Sequence, residues 1–87
     1  MAVTMTILTL ITRELSATRP LRDFANLRAE DSLFDDLGLD ELDRICLACG
    51  IEQELNIDLP DSVIESWITI GCVQSSVERL VIERMSL

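Results

Sequence analysis

The sequence predicts an all-α four-helix bundle, with three main helices and a short third helix. Apolar residues recur at helical spacing in separate segments, and the breaks between segments contain both prolines. The chain is 48% hydrophobic but only 3% aromatic, so its core must be aliphatic. Because 87 residues leave room for one hydrophobic core, we expect residues 1–87 to form a single domain.

The first helix is predicted from about Thr4 to Leu15. Ile7, Leu8 and Ile11 follow helical spacing within it. The polar, proline-containing segment from Ser16 to Arg22 predicts a long loop after this helix.

The second helix is predicted from Asp40 to about Asn56. The scattered apolar residues between Leu21 and Leu39 predict a preceding loop that packs on the core. Gly38 interrupts the pattern, and Asp40 is a good N-cap, with Asp43 placed to complete a capping box.

Two further helices follow. The Leu59-Pro60 step forces extended backbone, and the third, short helix is predicted to open at Pro60 and to end near Trp67. Thr69 is placed to cap the fourth helix. The buried stripe expected on that helix consists of Val73, Val77, Leu80 and Val81.

The second helix has two apolar faces. At about 100° per residue, one face groups Leu42, Ile45, Cys46 and Cys49. The opposite face groups Leu47, Ala48, Ile51 and Leu55. A small bundle has little with which to cover both, so we expect one stripe to stay partly exposed. The alternative is that the first and third helices cover both sides.

The charge is concentrated in one segment. The chain has a net charge of −9, and the segment from Glu30 to Glu65 has twelve carboxylates against one basic residue, Arg44. This argues against nucleic-acid binding and predicts attraction to basic partner surfaces. Ordinary solubility and an acidic decoy that mimics nucleic acid remain alternative interpretations.

Histidine is absent, and the three cysteines do not form an even set. Without histidine the commonest general base is missing, so we expect no enzymatic activity. Cys46 and Cys49 form a C-x-x-C pair, but without a second pair we expect them to bind no metal. The cysteine count, with no signal peptide or membrane span recognised, predicts reduced thiols in the cytoplasm.

Three blocks of sequence resemble acyl carrier proteins. They are the segments 31–43 (DSLFDDLGLDELD), 51–61 (IEQELNIDLPD) and 69–73 (TIGCV), and the resemblance spans about residues 24–82. It implies a four-helix bundle whose second helix faces partner enzymes of fatty-acid or polyketide-type synthesis.

The resemblance also locates a substitution. Where the family has Asp-Ser-Leu, this chain has Asp40-Glu41-Leu42. The family's serine takes phosphopantetheine from coenzyme A, whereas a carboxylate would form only a labile mixed anhydride with phosphate. We therefore expect no cofactor on this sequence. Ser32 and Ser62 lie out of register with the attachment position.

The resemblance further implies a partner-binding set that meets basic surfaces of acyl-transfer or synthase enzymes. The set is Asp35, Asp40, Leu42, Asp43, Ile45, Cys49, Glu52 and Glu54. Two functional hypotheses follow: a diverged or mutated carrier that cannot be loaded, or a non-carrier interaction or regulatory module that docks through the acidic helix. In either case we expect a monomer. Glu41 would be an ordinary acid favoured by the helix dipole, or a substitute for the phosphate charge.

Overall fold

A computed structural model describes residues 2–85 of the chain. Its four helices are α1 (Ala2–Thr18), α2 (Glu41–Leu55), α3 (Asp61–Glu65) and α4 (Ile70–Met85). Within residues 2–85 there is no strand beyond one isolated bridge, between Ser32 and Thr69. The predicted all-α architecture with a short third helix is confirmed. None of the helices in this range is long and apolar enough to cross a membrane.

Helix α1 is longer than predicted at both ends. It continues through Thr18, so the loop expected from Ser16 begins three residues later. The Thr18 hydroxyl donates to the Glu14 carbonyl at 3.0 Å, and the Arg19 amide donates to the Leu15 carbonyl at 2.8 Å. These bonds satisfy the last turn, which the polar composition alone does not indicate.

The core lies between α1, α2 and α4 and is aliphatic, as predicted. Its largest fully buried side chains are Ile11, Leu15, Leu47, Ile51, Ile70, Val73 and Val77. Leu59 and Trp67 are also buried, and the Trp67 indole donates to the Ser76 hydroxyl at 2.8 Å. Each fully buried aliphatic side chain contributes about 1.5–3 kcal/mol, so this cluster provides most of the stability.

Helix α2 is capped at both ends. The Asp43 amide donates to the Asp40 carboxylate at 2.9 Å, and the Asp40 amide donates to the Asp43 carboxylate at 3.0 Å. The predicted capping box is therefore confirmed. Asn56 ends the helix in the left-handed conformation, with φ 53° and ψ 50°. Gly38, with φ 66°, turns the chain into the helix where a side chain would cost energy.

Helices α3 and α4 begin where the sequence predicts. Pro60 precedes α3 with extended backbone, and the Leu59 amide donates to the Glu52 carboxylate at 2.7 Å. The Cys72 amide donates to the Thr69 hydroxyl at 3.2 Å, which confirms Thr69 as the cap of α4. On the predicted stripe of α4, two side chains are fully buried and two are partly buried against the core: Val73 and Val77, then Leu80 and Val81.

The loop before α2 is held against the α3–α4 connection by backbone hydrogen bonds. The Leu33 amide donates to the Ile68 carbonyl at 2.9 Å, and the Ile70 amide donates to the Asp31 carbonyl at 3.0 Å. Phe24, Leu33 and Leu39 are buried, as expected for a loop that packs on the core. The loop is thus a fixed part of the surface next to the start of α2.

Candidate partner-docking surface

The two apolar faces of α2 have different surroundings. The face of Leu47, Ala48 and Ile51 is buried. On the other face Leu42 is 67% exposed and Ile45 is 44% exposed. Cys46 and Cys49 are exposed beside them, and the four residues Leu42, Ile45, Cys46 and Cys49 are called the outer strip. The prediction that one stripe stays exposed is confirmed, and α1 and α3 do not cover both sides.

The predicted partner-facing carboxylates differ in availability. Asp35 and Asp40 are exposed, but the Asp40 carboxylate accepts the Asp43 amide and lies 4.0 Å from Arg19 Nη2. Glu54 is exposed but pairs with Arg13 at 3.2 Å, and Glu52 is half-buried because it accepts the Leu59 amide. Asp35 is therefore the acid of this group that a partner would reach at the lowest desolvation cost, followed by the partly engaged Asp40.

Asp43 differs from expectation, because it faces inward and is only 6% exposed. Arg19 Nε donates to its Oδ1 at 3.2 Å, and Arg19 Nη2 donates to its Oδ2. The hydrogen bond from Arg19 is the main reason that the pKa of Asp43 lies below its ordinary value. Its expected role as a partner-facing acid is corrected: Asp43 joins the end of α1 to the start of α2. No local sequence pattern indicates this pairing, since Arg19 is 24 residues away from Asp43.

Glu41 is the first residue of α2 and is exposed. Its helical turn, from Glu41 to Arg44, contains no hydroxyl group. The Ser32 hydroxyl lies in the preceding loop, where it accepts the Asp35 amide at 3.1 Å, and Ser62 lies on α3. A carboxylate does not form a stable phosphate ester, so the first turn of α2 does not fit covalent attachment of a phosphate-linked group.

A cleft of about 390 Å³ opens at the start of α2. Its apolar lining includes the buried Leu39 and Trp67 together with Phe34 and Ile68, which are 72% and 67% exposed. We call it the N-terminal cleft. The sequence does not indicate this cleft, because it predicts that the apolar residues between Leu21 and Leu39, which include Phe34, pack on the core.

The thiols occupy two environments. Cys46 and Cys49 are free and exposed, whereas Cys72 is half-buried in the first turn of α4. The Thr69 hydroxyl donates to Cys72 Sγ at 3.3 Å, and this hydrogen bond lowers the pKa of the Cys72 thiol. Among the described residues, no three side chains of His, Cys, Asp or Glu are grouped so as to hold a metal ion.

Comparison with known proteins shows that the chain is similar to acyl carrier proteins. The family model of the phosphopantetheine attachment site matches residues 6–72. Over 56 residues the chain is 34% identical to an acyl carrier protein of Clostridium acetobutylicum. The aligned region covers 64% of this chain and 73% of the relative. It is 38% identical over 53 residues to one from Bdellovibrio bacteriovorus, covering 61% and 68%. It is 35% identical over 48 residues to one from Sinorhizobium fredii, covering 55% and 62%.

Proposed function

Because the chain belongs to the acyl carrier protein family, we propose that it docks on acyl-transfer or synthase enzymes through α2 without carrying the phosphopantetheine arm. Acyl carrier proteins are carriers rather than enzymes. The matches extend over 62–73% of the relatives' length, so the pathway and the partner enzymes of this chain belong to the proposal.

The exposed outer strip is the observation that carries the proposal. Leu42 and Ile45 stay partly exposed, and neither belongs to the hydrophobic core cluster. An apolar strip on a helix, next to the exposed carboxylates of Asp35 and Asp40, suits a partner with a basic rim. Apolar contact would supply affinity, and the charges would supply orientation and encounter rate. Ile45, Cys49, Glu52 and Glu54 extend this docking set along α2.

We further propose that Glu41 stands where the family's attachment serine would be. Two observations support this: the segment 31–43 resembles the family's block, with Asp40 and Leu42 on either side of Glu41, and Glu41 is the first residue of α2. The proposal therefore assigns the protein no covalently bound cofactor and no acyl transfer of its own.

A second candidate function is an interaction or regulatory module that was never a carrier. It is favoured by one combination: the outer strip is exposed, while the first turn of α2 contains no hydroxyl. Such a module would bind a basic partner without a prosthetic group, and restoring the serine would not make it a substrate for loading.

We also propose that the protein acts as a monomer in the cytoplasm, with residues 1–87 as one domain. The three unpaired cysteines suit a reducing compartment. The net charge of −9 opposes association between copies.

Intact mass after incubation with coenzyme A and a broad-specificity phosphopantetheinyl transferase tests the carrier proposal. The matched variants are Glu41→Ser, which introduces the hydroxyl, and Glu41→Ala, which only removes the carboxylate. We expect only Glu41→Ser to gain the mass of the arm.

The other outcomes are equally informative. If the parent chain is modified, the assignment of Glu41 is wrong, and Ser32→Ala and Ser62→Ala variants would locate the attachment site. If Glu41→Ser folds but stays unmodified, the carrier proposal fails, and the interaction-module function is favoured.

A further inference from the structure

Two exposed apolar side chains are not explained by docking through the outer strip. Phe34 comes from the loop before α2, and Ile68 comes from the connection between α3 and α4. They are 34 positions apart in the sequence, yet both line the N-terminal cleft. Large apolar side chains this exposed, on opposite segments of one concave surface, are typical of an interaction site.

The two segments are joined by backbone hydrogen bonds, so the cleft is preformed. The Leu33 amide donates to the Ile68 carbonyl, and Ser32 and Thr69 form an isolated antiparallel bridge. Each exposed side chain is therefore adjacent to a fixed backbone contact. A partner that enters the cleft would spend little free energy on ordering it.

The base of the cleft is apolar and the rim is charged. Leu39 and Trp67 lie at the base and are almost fully buried. Asp35, Asp40 and Glu41 bring carboxylates to the lining, against the one basic lining residue in the described part of the chain, Arg44. At about 390 Å³, the cleft is near the lower end of the volumes of ligand pockets, which run from about 300 to 1,000 Å³.

We propose that the N-terminal cleft receives one large apolar side chain from a basic segment of a partner protein, with that segment's Arg or Lys residues meeting Asp35 and Asp40. Phe34 and Ile68 contact the apolar side chain from two sides. The inference deepens the proposed function, since it places a second contact beside the outer strip and states what the partner must present there.

Charge complementarity argues for this occupant over others. A second copy of the chain would bring its own acidic segment against an acidic rim, and a nucleic acid or an anionic headgroup would meet the same repulsion. The positive charge of Arg44 repels a cation on the side of the cleft that Arg44 lines. The basic residues of the partner are therefore expected on the side lined by Asp35 and Asp40.

The test uses a short amphipathic helical peptide of leucine and arginine, titrated into the full chain. Trp67 is the single tryptophan and lines the cleft, so its fluorescence reports occupancy directly. Phe34→Ser and Ile68→Ser should each weaken binding by about five- to tenfold, as expected for loss of a central apolar contact. The matched control is Leu21→Ser, at a fully exposed leucine in the α1–α2 loop, outside the cleft.

Three results would overturn the proposal: no binding of the peptide, binding without a change in Trp67 fluorescence, or equal losses in the Leu21→Ser control and the two cleft variants. A peptide with glutamate in place of arginine should not bind, and tight binding of it would contradict the charge argument. Because this experiment does not use the loading reaction or a synthase, its failure leaves the proposed function intact, and failure of the loading test leaves the cleft proposal intact.

Discussion

The two faces of α2 have similar composition but opposite surroundings. Leu47, Ala48 and Ile51 are buried against the bundle, whereas Leu42 and Ile45 are partly exposed on the outer strip. The inner face consists of aliphatic residues, and the outer strip consists of two aliphatic residues and two cysteines, so hydrophobicity alone does not distinguish them. The inner face therefore maintains the fold, while the outer strip is available for function.

The largest expected difference in stability is between two isoleucine variants, one on each face of α2. Ile51→Ala removes a fully buried side chain and should lower the free energy of unfolding by about 2–4 kcal/mol. Ile45→Ala removes a side chain that is 44% exposed, and should cost under about 1 kcal/mol. Urea denaturation of both variants measures the difference. Equal losses would mean that the outer strip also supports the fold.

Two acids of α2 that pair with arginines, one buried and one exposed, extend the comparison between buried and exposed contacts. Asp43→Asn disrupts a buried ion pair and half of the capping box. It should lower the free energy of unfolding by about 1–3 kcal/mol. The expected loss is no larger because the Arg19 side chain is 37% exposed, so water screens the pair. Glu54→Gln removes an exposed ion pair with Arg13 and should cost under about 1 kcal/mol. The two losses are compared by denaturation at neutral pH.

The Asp43 effect also has a defined pH dependence. Arg19 holds the pKa of Asp43 below its ordinary value of 3.8, so the unfolded chain binds this proton at higher pH than the folded chain does. The stabilisation is therefore complete above pH 3.8 and is lost as the pH falls through the lower pKa of the folded state. The stability difference between the parent chain and Asp43→Asn should shrink in acid. A difference that stays constant to low pH would contradict the assigned pairing.

The C-cap of α2 belongs to neither face and gives a smaller effect. Asn56 has a left-handed backbone, with φ 53°, which asparagine tolerates better than alanine does. Asn56→Ala should therefore cost about 1 kcal/mol. In the Asn56→Gly control, easier adoption of this conformation is offset by the greater freedom of glycine in the unfolded chain, so the net change should be small. Thermal denaturation of both variants tests this, and equal destabilisation would exclude backbone strain as the cause.

Features that depend on neighbouring residues were predictable from the sequence. The capping box of Asp40 and Asp43 and the cap at Thr69 involve groups three residues apart, and the two faces of α2 follow from helical spacing. Features that depend on distant segments were not. The burial of Asp43 requires Arg19, from the other end of a long loop, and the N-terminal cleft requires Phe34 and Ile68 to meet.

Leu42 offers the smallest expected effect on stability and the most direct test of function. Leu42→Ser changes a side chain that is 67% exposed, so the free energy of unfolding should change by no more than about 0.5 kcal/mol. Binding to a partner enzyme should nevertheless weaken, because the apolar contact of the outer strip is lost. Calorimetric titration with a synthase that uses acyl carrier proteins measures this, with Leu21→Ser as the exposed control. If both variants bind as the parent does, α2 has an exposed apolar strip without a docking role, and the distinction between a structural and a functional face fails at this residue.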